Sequence, residues 1–456
     1  MIDTSVALSA GWWAQRLHKK LVQDRPGYEL LDAYLRSENQ IPVPRTKAIS
    51  QSYQRLMRMA GTNYAEMTVE AVRERMEPTA FLTGADGDGL GDREAWRIWQ
   101  GNSLDADWAL TARASLGLGM GYQIVGPTDP DIGVPLITPE DPRQVAMEVD
   151  PARRRKVLAA IKAWYDDVAG VDRINLYLPG FIHKLARDHR EDGGEDISDY
   201  SWDGEAVSTG ISRVPVVAFP NRPDTFGRTA GEFERHLSVL DRINFTVLER
   251  VEVATLQAYR QRAVKGVPAK DAQGNDIDYD DLFNNDPGAM WHLPDTGDIW
   301  ESEMGDLGPL RSAARDDVET YALVSRTPIY YLTPDAANGS AEGASLKRES
   351  LVFKTLDRIS ETSESLEQVM SLAFEFAGDP IRAQRGDMEV LWKSPENFSL
   401  AERYDAASKA QAAGVPWRTV MTDILQFSET QVARMEAERS ADLLLQGLED
   451  VEPELQ

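Results

Sequence analysis

The residues most able to do chemistry are few. Asp387, Glu389 and Lys393 resemble the Asp…Glu-x-Lys centre of a metal-dependent nuclease. That chemistry places the lysine two residues after the glutamate on one strand, whereas here the gap is four, so alternation on a surface strand accounts for the residues better. The five histidines, His18, His183, His189, His236 and His292, are scattered, and none has carboxylates at a metal-ligand spacing such as H-E-x-x-H. The aspartates of Gly84 to Asp92 lack the alternating ligands and twelfth-position glutamate of a calcium loop, which leaves a solvated surface loop.

Phosphate chemistry fares no better. Gly117, Gly119 and Gly121 follow a helical stretch and precede a strand-like one, the reverse of the nucleotide-binding order, so close helix-to-strand packing is expected instead. Neither a G-x-x-x-x-G-K-[ST] loop nor a G-x-S-x-G elbow occurs. With no cysteine, thiolate chemistry and disulfides are excluded. No cofactor or metal is expected, and the chain does not read as an enzyme.

The 456 residues carry 75 acidic against 49 basic side chains, a formal net charge of −26, which argues against an extended basic surface gripping nucleic-acid phosphates. The N-terminus lacks a basic region followed by an apolar run, and no segment approaches eighteen uninterrupted apolar residues, so neither secretion nor a membrane span is expected.

The elements have a definite order. Gly231 to Arg262 reads as one long helix whose stripe, Leu237, Leu240, Asn244, Val247, Val251, Ala254 and Ala258, recurs at three- and four-residue steps. Ala254 and Ala258 permit close approach of a neighbouring helix, and Asn244 resembles a register-setting polar residue. From Gly266 to Pro309 the chain turns to strands and loops with eleven acids, among them Asp276, Asp278, Asp280, Asp281, Asp295 and Asp298, against Lys270 alone. Helical pattern resumes at Leu310, stops before Pro328, gives way to the small-residue stretch Ile329 to Ser345, and returns from Leu346 to Phe376. Upstream, Trp12 to Ala60, Asn63 to Arg75 and Asp92 to Leu116 read as helical, strands follow in the 120–220 region, and a helix is expected over Pro151 to Val168. The class is α+β, mainly helical.

This order, with Trp99-x-x-Asn102, Leu104-Asp105, the step Gly121-Tyr122-Gln123-Ile124-Val125, Val214-Pro215-Val216-Val217, Asn221, Gly227-Arg228, Asp241-Arg242-Ile243-Asn244, Pro287-Gly288 with Trp291, Thr327-Pro328 and Asn338-Gly339-Ser340-Ala341-Glu342-Gly343, resembles the portal, or head-to-tail connector, proteins of long-tailed bacteriophages. The resemblance spans Tyr28 to Phe376, and each motif is weak without the others. It implies a ring, usually of about twelve subunits, at one capsid vertex. It further implies a wing (1–230 with strands at 381–398), stem helices (231–265 and 310–328), a clip (266–309), a tunnel loop (329–345), a long wing helix (346–380), and crown helices with an acidic tail (399–456).

Under that resemblance Asn338, Gly339, Ser340, Ala341, Glu342 and Gly343 would contact or gate double-stranded DNA, the clip acids would keep it unbound, and the stem stripe would hold the ring. The implied partners are the terminase large subunit, a head-completion adaptor, and the major capsid and scaffolding proteins, with host cytoplasm and virion as locations. The competing readings are a phage-encoded nuclease built on Asp387 and Glu389, or another ring-forming head-completion protein.

Overall fold

The computed structural model describes residues 2–39, 56–85, 91–190, 196–258, 262–265, 270, 298–301, 306–332, 341–396, 400–427 and 429–449. In chain order its elements are α1 (Ala10–Leu35), α2 (Tyr64–Arg73), β1 (Pro78–Leu82), α3 (Arg93–Gly101), α4 (Leu104–Leu118), β2 (Met120–Thr128), β3 (Pro135–Glu140), β4 (Val145–Asp150), β5 (Arg153–Asp166), β6 (Val171–Leu178), β7 (Phe181–Asp188), β8 (Ser201–Trp202), β9 (Val207–Ser208) and β10 (Val216–Pro220). There follow α5 (Leu237–Ala258), β11 (Arg262–Lys265), β12 (Asp298–Glu301), α6 (Gly308–Ser325), α7 (Ala341–Ala377), β13 (Glu389–Trp392), α8 (Leu400–Ala412) and α9 (Glu429–Glu449). The class is the expected mixture, mainly helical.

The chain divides into two compact units, one of Met1–Arg36, Ala65–Arg235 and Ser325–Gln456, the other of Ser37–Tyr64 and His236–Val324. Among the described residues the first unit holds three sheets, one of them the two-stranded pair of β1 and β13. In the second, β10, β2 and β3 lie in that order and pack against α4 and α7. In the third, β4, β5, β6, β7 and β8 run antiparallel, with β9 also paired to β7. Helix α1 starts at Ser9, whose hydroxyl accepts the Trp12 N–H, and lays Trp13, Ala14, Leu17 and Leu21 against Ala159, Ile161, Ile174 and Leu176. Ala160 and Tyr177 belong to another cluster, with Tyr122, Ile124, Val214 and Val216 of the three-stranded region.

That double burial overturns the helix expected over Pro151 to Val168. Ala159, Ala160 and Ile161 are all buried, consecutive residues serving two cores, so no two-residue alternation marks the strand and the run imitates a buried helix. The expected helix over Asp92 to Leu116 is two helices, broken at Asn102 and at Ser103, whose φ is +55°. An aromatic cluster of Phe81, Trp96, Trp99, Trp108, Phe219 and Trp392 fills the region around this break. A strand pair is expected around Met388 to Trp392, but the described residues there hold one strand, β13, and its partner is β1 from far earlier in the chain.

The glycine run has the packing role anticipated for it. A side chain on Gly231 would put its Cβ 2.3 Å from the Gly117 carbonyl oxygen, and one on Gly121 would put it 2.7 Å from that of Thr111.

Candidate functional site

The second unit is built around α5 and α6. On α5 the buried positions are Leu240, Ile243, Asn244, Thr246 and Leu248; on α6 they are Ala314, Val318, Tyr321 and Ala322. Of the stripe read from the sequence, Leu240 and Asn244 are buried, Leu237, Val247 and Val251 are partly buried, Ala254 is exposed, and Ala258 is the last residue of α5. Leu248 packs on Ala60, with Leu56, Met57, Phe245 and Val247 around them. Arg242 reaches Asp317 at 2.8 Å, joining α5 to α6. Asn244 is satisfied inside its own chain, since its Oδ1 accepts the Thr62 N–H at 3.0 Å and the Thr62 hydroxyl at 2.7 Å. Its polar place on the stripe thus fixes the segment before α2.

Between α5 and α6, β11 and β12 form an antiparallel ladder that sets Arg262 opposite Glu301 and Lys265 opposite Asp298. The segment between the helices therefore leaves and returns at neighbouring points. Asp276, Asp278, Asp280, Asp281 and Asp295 lie outside the described residues, and Asp298 opens β12. Asn338, Gly339 and Ser340 also lie outside them. Ala341, Glu342 and Gly343 form the first turn of α7, so the helix starts five residues earlier than the small-residue stretch suggested, and Ile329–Leu332 is a helical turn. Ala and Glu favour helix, and one glycine in a first turn costs too little to prevent it.

Within the first unit, an ion cluster missing from the sequence reading gathers three separate segments. The Glu232 carboxylate is 1% exposed and takes Lys354 Nζ at 2.8 Å, Arg358 Nε at 2.6 Å and Asn221 Nδ2 at 3.0 Å. Lys354 and Arg358 stand one turn apart on α7, and Lys354 also donates to the carbonyl of Ser325, the last residue of α6. Burial alone would raise the Glu232 carboxyl, but Lys354 and Arg358 outweigh it and hold it at about 2. Burial pulls Lys354 down, opposed by Glu232. The sequence carried one faint signal of this cluster, charged residues set inside apolar runs at Gly231-Glu232-Phe233 and Val352-Phe353-Lys354.

Other motif residues have structural partners as well. Asn102 donates to the carbonyls of Ile98 and Pro135 and accepts from Ile137, while Trp99 Nε1 donates to Asp105. Asn221 donates to the Ala230 carbonyl as well as to Glu232. Lys393 pairs with Glu77 at 2.7 Å, away from a nuclease arrangement. Among the described residues no three His, Asp or Glu side chains come together as a metal site, and no helix is long and apolar enough to cross a membrane. His18 is buried beside the Tyr200 ring, and burial, with Arg187 and Arg25 nearby, lowers its imidazole to about 4.

Comparison with known proteins adds five findings. The family model described as phage portal protein, SPP1 Gp6-like, matches residues 15–443. The portal protein of Mycobacterium phage L5 is 26% identical over 390 residues, covering 81% of this chain and 76% of that protein. The portal protein of Mycobacterium phage D29 is 25% identical over 374 residues, covering 78% of this chain and 73% of that one. Among solved structures, the neck of an empty gene transfer agent particle aligns with a TM-score of 0.43 at 13% identity, over 83% of this chain and 93% of that one. A chain from the virion of a native gene transfer agent particle gives a TM-score of 0.43 at 13% identity, over 87% and 98%.

Proposed function

The chain belongs to the SPP1 Gp6-like phage portal protein family, and from that premise we propose how its parts serve a portal. A portal protein is a structural component of the virion at a capsid vertex, and this chain is one; its work is assembly and passage, not catalysis. In our reading about twelve copies close into a head-to-tail ring through which double-stranded DNA enters the capsid and later leaves. Helices α5 and α6 are the stem that lines the channel, and the acidic segment 266–309 is the clip. Residues 329–340, with the first turn of α7, face the duplex as a tunnel segment. The first unit up to residue 230, with most of α7 and the strand at 389–392, is the wing, and residues 399–456 form the crown and tail.

The observation that carries this reading is the succession of α5, the β11–β12 ladder and α6 around a segment of eleven acids and one base. A segment whose two ends are held side by side by the β11–β12 ladder suits a docking clip. Its negative charge disfavours any bound state that would trap a passing polyanion. We assign the terminase large subunit and the head-completion adaptor to the clip. The capsid and scaffolding proteins are further partners, met in the host cytoplasm during assembly.

The test is native mass spectrometry with negative-stain images of the same sample. We expect ring-shaped particles with a mass near twelve or thirteen times 50.8 kDa. A stable monomer or dimer at every salt concentration would refute the reading.

A further inference from the structure

The chain is strongly acidic, yet one place in its first unit gathers more cations than the acids beside them can pair. Arg222 follows β10, Arg235 stands just before α5, and Arg326 is the residue after α6. Among the described residues none of these three guanidiniums has an ion-paired or hydrogen-bonded partner. They belong together, since Arg235, Arg326 and Arg358 all lie near enough to Arg222 to act on its charge. The carboxylate that offsets them is Glu232, and it is already shared by Lys354, Arg358 and Asn221. Burial pulls the Arg222 guanidinium below its ordinary range, Glu232 opposes that fall, and the neighbouring arginines deepen it.

The backbone holds two of these residues at a cost. Arg222 has φ +51° and Arg326 φ +54°, left-handed conformations in which glycine or asparagine would sit with less strain. Two buried hydroxyls flank Arg326. Ser325 is 4% and Thr327 1% exposed, and neither hydroxyl has a partner among the described residues. The Ser325 carbonyl takes Lys354 Nζ, which fixes that residue against the same cluster. A guanidinium can only donate and a hydroxyl can donate too, so the group that completes this set is a negatively charged acceptor with several oxygens. A carboxylate offers two oxygens in one plane. A phosphate spreads its oxygens over a tetrahedron and can take several guanidinium forks together.

We infer that Arg222, Arg235 and Arg326, with the hydroxyls of Ser325 and Thr327, form a binding site for a phosphate group. Arg235 and Arg326 are exposed and make its solvent side, while Arg222 is half-buried beside them. A site open on one side admits a phosphodiester within a nucleic-acid backbone as well as free inorganic phosphate. The site stands on one subunit, and only duplex DNA as its source rests on the portal reading above. From that source it gives an acidic protein one local point of hold on DNA.

The test is calorimetric titration of the full-length protein with low-millimolar inorganic phosphate, against chloride at matched ionic strength, beside fluorescence anisotropy with a short labelled duplex. Asparagine tolerates positive φ, so Arg222→Asn and Arg326→Asn remove charge without straining the backbone, and the circular dichroism spectrum should not change. The double variant should bind phosphate, duplex or both about tenfold more weakly or worse, and the corresponding double Lys variant, which keeps charge but loses the fork, should recover part of that loss. Loss of duplex binding that inorganic phosphate also competes away identifies a backbone phosphate as the ligand; loss of phosphate binding alone identifies the free anion. A folded double variant with unchanged affinity for both probes, or an unsubstituted protein that binds neither, would overturn the site whether or not rings form. Phosphate bound through these arginines by a protein that never forms rings would overturn the portal reading alone. If the substitutions abolish rings and leave phosphate affinity unchanged, the guanidiniums meet a neighbour's carboxylates and the inference is wrong.

Discussion

Replacing Lys354 by Met is the sharpest perturbation of the first unit. Lys354 and Glu232 are 3% and 1% exposed, so the change leaves a buried carboxylate short of one partner and the Ser325 carbonyl without its donor. Breaking a buried pair from one side costs about 3–5 kcal/mol. In urea unfolding followed by the buried Trp99 and Trp108, that corresponds to a midpoint lower by roughly 1 M or more. The acid limb gives a second reading. Glu232 is held at about 2, below its ordinary 4.5, so its stabilisation is complete above pH 4.5 and is lost as pH falls toward 2. The linkage amounts to about 3 kcal/mol over that window. Lys354→Met should shrink it, because Arg358 remains as the main cationic partner. Glu232→Gln should also destabilise, and the double variant should cost less than the two single changes added. If Lys354→Met unfolds within about 0.5 kcal/mol of the unsubstituted protein and the acid limb does not move, the cluster is not what fastens these three segments.

Two further outcomes concern the same unit. His18 is lowered from 6.5 to about 4, so its contribution is whole above pH 6.5 and drains away as pH falls toward 4, by about 3 kcal/mol at the lower end. His18→Phe should flatten the Tm profile between pH 6.5 and 4, a window largely separate from that of Glu232, and an unchanged slope would contradict the assignment. Gly231→Ala forces a Cβ to within 2.3 Å of the Gly117 carbonyl and should cost about 1–3 kcal/mol, whereas Gly386→Ala, with nothing within 4 Å, should stay within about 0.5 kcal/mol. Equal shifts for the two, measured side by side, would refute the close-approach argument.

The parts legible in the sequence are those whose signals are local. The helix pair and the acidic segment it brackets were readable because helical periodicity, Pro and Gly stops and a run of acids all fall within a few residues of the features they mark. Strand β5 was not, because Ala159, Ala160 and Ile161 are each buried, and a run apolar on both faces carries no strand signature. Asn244 stands out in the sequence as a polar break in a stripe, but its partner Thr62 is 182 residues away, and no spacing rule reaches that far. The Glu232 cluster is harder still. Lys354 and Arg358 lie more than a hundred residues downstream, and only the tertiary structure brings them to the carboxylate.

In the ring we propose, assembly and folding would be linked through the helix pair. An isolated helix draws most of its stability from packing along one face, and among the described positions of α5 the fully buried ones end at Leu248. Leu240, Ile243, Asn244 and Leu248 are buried, then Val251, Glu252 and Val253 are partly so, and Ala254 and Thr255 are exposed. Helix α6 repeats the pattern in reverse, with Arg311, Ser312 and Ala313 exposed and Ala314, Val318 and Tyr321 buried. Among the described residues the thinly covered positions lie toward the β11–β12 ladder, the clip end in our reading. In the ring we propose, neighbouring stems would supply the missing face, and whatever binds only the folded helices shifts their equilibrium toward the folded state. Small residues at those ends suit that arrangement, because Ala254 and Ala258 let a neighbouring helix approach where larger side chains would hold it off. In our reading, deep burial in the first unit would fix the subunit, and the sparser burial toward the β11–β12 ladder would leave surface for the ring.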